Sequence, residues 1–154
     1  MRTSAGLLLY RRSGGELEVL LGHMGGPFWA TKDAAAWSIP KGEYSGDEDP
    51  RAAALREFAE ELGSPPPPGA DLPLGEAKQS SAKLVTVFAR EGDFDAEHIS
   101  SNLVEIAWPP RSGRMLQVPE IDRAAWCGLA SARERLVKGQ VVFLDRLVAA
   151  VAPG

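Results

Sequence analysis

The sequence predicts an α/β domain, and three observations carry that expectation. Two short Leu- and Val-rich segments are parted by Ser13-Gly14-Gly15, a helix with both ends marked runs between Asp49 and Gly63, and the C-terminal third has helical apolar spacing. At 154 residues the chain is read as one domain, 1–154, long enough to bury a core without disulfides or a structural metal.

The elements follow in chain order. Thr3 to Arg11 and Leu17 to Met24 are expected to form an antiparallel hairpin. Gly25 to Ala36, rich in Gly and Ala with Pro27 inside it, reads as a loop before a short strand at Trp37 to Ile39, and Pro40-Lys41-Gly42 reads as a turn. Asp49 can cap free N–H groups, Pro50 suits the first helical position because it has no N–H to leave unpaired, and Gly63 supplies the stop. Between them Leu55, Phe58, Ala59 and Leu62 recur at the spacing that buries one helical face. Four prolines between Ser64 and Gly69 cannot continue the helix and are expected in a stiff surface loop. Leu72 to Gln79, Lys83 to Arg90 and Asn102 to Trp108 read as strands, Ala124 to Leu129 as a further short one, and Ala130 to Lys138 and Gln140 to Val151 as helices. A sheet of five or more strands results.

Composition narrows the function. Apolar residues at 44% and charged residues at 25% mark a soluble globular chain, and a net charge of -4 without a basic run argues against duplex nucleic acid as a partner. An anionic small molecule would need a local cationic device to overcome the overall field. Cys127 is the single cysteine and is expected to be a buried, inert thiol; with no span for a membrane and no signal-peptide core, a cytoplasmic location is the expectation.

Glu57, Glu60 and Glu61 stand at helical positions 0, +3 and +4, so they fall within one arc of roughly 100°. The reading places this acidic arc opposite the apolar set, aimed into a cleft. Like charges so spaced cost about 0.2–0.5 kcal/mol per pair, a penalty that a cation removes. Magnesium, which takes oxygen ligands and shares its sphere with water and substrate phosphates, suits such a group. Taken alone, an E-x-x-E-E segment is more often a solvated face.

Its surroundings alter that balance. From Gly42, the segment GEYSGDEDPRAAALREFAEELGS resembles the Nudix box, G-x5-E-x7-R-E-U-x-E-E-x-G-U with U apolar, matching at Gly42, Glu48, Arg56, Glu57, Phe58, Glu60, Glu61 and Gly63. Ser64 departs from the apolar residue usual at the last position, which bears on packing at the helix exit. The resemblance implies an α/β/α sandwich with a mixed sheet. It further implies a hydrolase, using Mg2+ or Mn2+, that cleaves a phosphoanhydride bond in a nucleoside diphosphate derivative. Trp37-Ser38-Ile39-Pro40-Lys41-Gly42 is similar to the segment before the box in diadenosine tetraphosphate hydrolases, which favours dinucleoside polyphosphates or nucleoside triphosphates over nucleotide sugars.

Carried over by position, the resemblance makes Glu60 and Glu61 metal ligands and Glu57 a further ligand or a base acting on water. Arg56 would hold a glutamate, Glu48 or Glu57, in place. Gly42 would let the loop backbone approach the metal, with the Lys41 carbonyl a further donor. Glu120 is preferred over Glu105 as an acid supplied from outside the box. Lys41 and Lys83 are candidates for phosphate, with a solvated lysine the alternative for each. Trp37 is expected in the core, whereas Phe28 and Trp29 are candidates to stack on a base. Arg111 and Arg114 would reach terminal phosphates unless their turn is simply an exposed basic one. His23 and His98 receive no role. Two other classes remain as rivals: a non-catalytic Nudix-fold nucleotide sensor, and a structural α/β domain with an accidental acidic helix. Monomer and homodimer are both open.

Overall fold

The computed structural model describes residues 1–151 of the chain. Its centre is β1 (Arg2–Ser13), and both faces of this strand are buried because its side chains alternate between two cores. Ala5, Leu7 and Leu9 point to one side, where α1 (Pro50–Leu62) packs, and Leu8 and Tyr10 point to the other. There they meet α2 (Leu129–Arg135) and α3 (Val142–Ala150) through Ala132, Phe143, Leu144 and Leu147. A continuous apolar run is what a strand covered on both faces requires. The result is an α/β/α sandwich in a single domain.

The sheet is mixed. β1 runs parallel to β6 (Lys83–Glu91) along nearly its whole length, and β5 (Asp71–Ser80) pairs antiparallel with β6. On its other edge β1 is shared between two partners. Its C-terminal end pairs with β2 (Glu16–Met24), while Ser4, Ala5 and Gly6 pair with β4 (Lys41–Glu43). β2 in turn pairs with β3 (Trp37–Ser38) and with β9 (Ile121–Gly128). A separate antiparallel ribbon is formed by β7 (Leu103–Ala107) and β8 (Met115–Pro119).

The differences from the sequence expectations are local. Lys41 and Gly42 lie in β4 rather than in a turn, because the peptide after Pro40 has a free strand edge to pair with: Leu7 donates to the Pro40 carbonyl at 3.1 Å. β8 is not marked in the sequence, because its five residues follow the Ser112-Gly113 turn closely and carry too little alternation to register. The C-terminal helices are shorter than expected, with Lys138–Gln140 forming a 3-10 turn between them. There Gln140, fully buried, accepts from Ile39 N at 2.8 Å and donates to Ser38 and Gln79.

The helix ends are as the sequence marks them. Asp49 accepts from Ala52 N at 3.1 Å, and Gly63 closes the last turn at φ 83°, its N–H bonded to Ala59 O at 2.8 Å. Ser64 is exposed, so its departure from the motif leaves no apolar contact unmade. The proline loop is tied down by Arg90, which donates to Pro67 O at 2.9 Å and makes a bidentate pair with the buried Asp71 carboxylate. Cys127 is buried, and burial pushes its thiol up. Among the described residues no helix is long and apolar enough to cross a membrane.

Candidate active site

The box helix is turned relative to the expected arrangement. Its buried residues are Ala53, Ala54, Glu57, Phe58, Glu61 and Leu62, whereas Leu55 and Ala59 are half-buried and Glu60 is exposed. The small side chains of Ala53 and Ala54 let the helix lie close on β1 and draw Glu57 and Glu61 inward with them. The three acids therefore do not share an exposed face. Glu57 and Glu61, one turn apart, border the interior, and Glu60 stands at the rim.

Glycine makes this possible at one position. A Cβ on Gly42 would lie 2.0 Å from the Glu57 carboxyl carbon, so only a residue without one lets that carboxylate rest against β4. One residue earlier, Lys41 N donates to Glu61 Oε1 at 3.2 Å. The strand after Pro40 thus seats both inner carboxylates, one by close approach and one by a hydrogen bond.

Arg56 ties Glu57 to the outer carboxylates. It makes a two-pronged contact with Glu48 at 3.0 and 2.9 Å, donates to Glu57 Oε1 at 2.8 Å, and reaches Glu60 at 3.5 Å. Its hydrogen bond to Glu48 raises the guanidinium above its ordinary range, so it is a permanent cation.

Glu120 comes from the β8–β9 connection. It lines the same cleft as Glu57 and Glu60, together with Arg2, Ser4, Lys41, Gly42, Glu43, Lys83 and Asn102, in a volume of about 390 Å³. Burial pushes the Glu61 carboxyl well up, and the facing Glu120 carboxyl adds to this. Burial also raises Glu57, with help from Glu60. Lys41 is lowered by burial against the opposing pull of Glu61. Glu105 lies elsewhere, paired with Gln117 on the β7–β8 ribbon and exposed.

A second, mostly apolar compartment of about 230 Å³ adjoins the first, and Lys41 and Glu120 line both. Trp29 forms part of it with Val104, Ile106 and Val118 from the inner face of the β7–β8 ribbon. Phe28 is 51% exposed and meets Trp29 edge to face at 4.8 Å, outside this compartment. Trp37 is buried in the core and packs against His23. The fully buried His23 contacts Asp122 Oδ1 at 2.8 Å and Lys32 O at 2.6 Å, so it anchors the glycine-rich loop. Arg111 stands apart: exposed in the turn between β7 and β8, with φ 62°, it lines neither compartment, and neither does Arg114.

Among the described residues no three acid, His or Cys side chains converge closely enough to enclose an ion, because Arg56 draws Glu57 and Glu60 toward itself. The donor set still suits a hard divalent cation. All the donors are oxygens, Glu57 and Glu61 each lie in the field of Glu120, and a cation that keeps waters needs no closed cage of protein ligands. Glu57, Glu60, Glu61 and Glu120 are the residues that would hold it.

Asn102 was not singled out from sequence. It joins the cleft through a hydrogen bond from Nδ2 to Glu120 Oε1 at 2.9 Å, and nothing in its flanking residues signals that contact.

Comparison with known proteins gives a consistent fold. Residues 1–147 match the NUDIX domain family. An RNA pyrophosphohydrolase of Acidiphilium cryptum (strain JF-5) is 41% identical over 64 residues, which are 41% of this chain and 35% of that protein; the match thus spans about a third of its length. An Ap4A hydrolase of C. elegans, solved as a binary complex, superposes with a TM-score of 0.67 at 20% identity, covering 99% of this chain and 98% of that one. The NUDIX domain of Shewanella oneidensis NrtR, complexed with ADP ribose, superposes with a TM-score of 0.60 at 16% identity, covering 96% and 86%.

Proposed function

The chain belongs to the NUDIX domain family, and from that premise we propose that it is a divalent-metal-dependent hydrolase that cleaves a phosphoanhydride bond within a nucleoside triphosphate or dinucleoside polyphosphate. The observation that carries the reading is the seating of two inner carboxylates on one strand, Glu57 against Gly42 and Glu61 on the Lys41 amide, beside Glu60 and Glu120. Glu57, Glu60 and Glu120 line the polar cleft and Glu61 lines the adjoining compartment beside Glu120, and so much negative charge where the two meet, in a protein with net charge -4, is costly unless a cation is bound there.

When bound, Mg2+ or Mn2+ would neutralise phosphate oxygens and acidify a coordinated water. The chain's own groups do the remaining work. Lys41 and Lys83 line the same cleft as the acids and would orient the phosphates there. Glu57 or Glu120 accepts the proton of the attacking water, and Arg56 fixes the Glu57 carboxylate through a hydrogen bond to its Oε1. Trp29 and the apolar compartment offer a surface for the base, at the side of the cleft where Lys41 and Glu120 are shared.

The test is a hydrolysis screen with Mg2+ and Mn2+ over nucleoside triphosphates, diadenosine tetraphosphate, ADP-ribose, nucleotide sugars and, given the relative acting on RNA, a 5′-triphosphorylated RNA oligonucleotide. Metal-dependent turnover of a polyphosphate is expected. Tight binding of a nucleotide with no turnover of any would favour a non-catalytic sensor.

A further inference from the structure

We propose that Asn102 is a positioning residue that holds Glu120 in register with the box helix; this rests on the reading that Glu120 takes part in the reaction. Glu120 lies far outside the box in sequence, so its distance from Glu60 and Glu61 is not set by helical geometry and needs a separate device. The segment 100–102 supplies one. Ser100 N donates to Leu62 O at 3.2 Å and Asn102 N to Glu60 O at 3.0 Å, so this segment takes up carbonyls left open at the end of α1.

Gly63 permits the approach, because a Cβ there would stand 2.6 Å from the Ser100 carbonyl oxygen. From the same residues the connection continues to the other side of the cleft. Glu120 N donates to Asn102 O at 3.0 Å, Ile121 N to Ser101 Oγ at 3.0 Å, and Asn102 Nδ2 to Glu120 Oε1 at 2.9 Å. Asn102 is thus bonded by its amide to the helix and by its carbonyl and side chain to Glu120.

The side-chain bond is the informative one. The backbone links alone would bring Glu120 near the helix but leave its carboxylate free to rotate. A neutral amide donor fixes one oxygen without adding a cation that would compete with a bound metal. Facing Glu61 and bordered by Glu57 and Glu60, an unheld Glu120 carboxylate would swing away from the like charges. The amide opposes that rotation. Asn102 and Glu120 also sit at the two feet of the β7–β8 ribbon, so the same link sets where Val104, Ile106 and Val118 cover the apolar compartment.

The test is a mutant cycle on wild-type, Asn102→Ala, Asn102→Asp, Glu120→Gln and the double variant Asn102→Ala/Glu120→Gln. The substrate is whichever of ATP, diadenosine tetraphosphate and ADP-ribose the wild type turns over fastest, at saturating Mg2+. Asn102→Ala is expected to lower kcat roughly tenfold or more with little change in KM, the cost of a lost hydrogen bond to a charged group. Asn102→Asp, closer in shape but anionic, should lose more than Ala. A purely structural role predicts the reverse order. In the Glu120→Gln background, Asn102→Ala should cost little further. Melting curves for each variant show whether the folded fraction changes. Full activity in Asn102→Ala and Asn102→Asp while Glu120→Gln is impaired overturns the proposal, as do effects that simply multiply. Unimpaired Glu120→Gln would remove Glu120 from the reaction, and an inactive wild type would sink the hydrolase reading; either takes the proposal with it.

Discussion

Glu61 is 3% exposed, faces Glu120, and receives one backbone N–H, so its ionised form is held in an unfavourable place until a cation arrives. Glu61→Gln is therefore expected to lower kcat by about 10²- to 10³-fold, the scale of losing a preorganised charge at a developing transition state. Without metal it should melt no lower than the wild type, because a neutral amide of the same shape ends the repulsion. A drop of several degrees would mean that the carboxylate is needed for the fold itself. Glu60→Gln, at the exposed rim, should leave metal-free stability unchanged and still lose turnover. Wild-type rates in both variants would remove these acids from the chemistry.

Among the elements, the β5–β6 pair and the proline loop depend on one buried ion pair. Arg90 grips Asp71 through Nε at 2.7 Å and Nη2 at 2.9 Å, and Arg51 reaches the same carboxylate from the first turn of α1. Burial pushes Asp71 up, but the two guanidiniums outweigh it and hold the carboxyl below its ordinary value. A lowered native pKa means stability that is present above the unfolded value near 4 and lost as pH falls through the native one. Asp71→Asn is thus expected to cost about 3 kcal/mol at neutral pH, since it leaves Arg90 without its partner charge. Its deficit should shrink on acidification below about pH 4. Urea unfolding across that range checks both; a deficit constant with pH would contradict the ion-pair account.

Asp49, Pro50 and Gly63 mark the helix because capping is a local matter between a side chain and its nearest N–H groups. Which way the helix faces is not local. An apolar set of Leu55, Phe58, Ala59 and Leu62 turns it by about a quarter of a circle from its true facing, because small Ala53 and Ala54 weigh little in a hydrophobic pattern yet allow the closest packing, while Leu55 and Ala59 are only half-buried. Lys41 in β4 and the Asn102–Glu120 link depend on chain segments that meet only after folding, so no spacing rule reveals them. Lys83 borders the polar cleft and Trp29 the apolar compartment, whereas Arg111 lies away from both.

For the whole molecule, metal binding and folding should be linked. A ligand that binds only the folded state stabilises it by mass action, by about 2.7 kcal/mol at a hundred times its Kd. Mg2+ is expected to raise the melting temperature of the wild type more than that of Glu60→Gln, and equal shifts would place the ion elsewhere.

On the proposed function, the acid-lined cleft, once it holds a divalent cation, directs water to a phosphorus inside a polyphosphate chain. A divalent cation held by Glu57, Glu60, Glu61 and Glu120 would neutralise phosphate oxygens and acidify a water, which favours attack within such a chain. The most direct measurement is hydrolysis of the best substrate in oxygen-18 water with Mg2+, the products identified by mass spectrometry. The expected products are a nucleoside monophosphate and pyrophosphate or a larger phosphorylated fragment, with one heavy oxygen between them. Release of orthophosphate alone from every substrate tried, or turnover that persists with all divalent metal chelated, would contradict the proposed function.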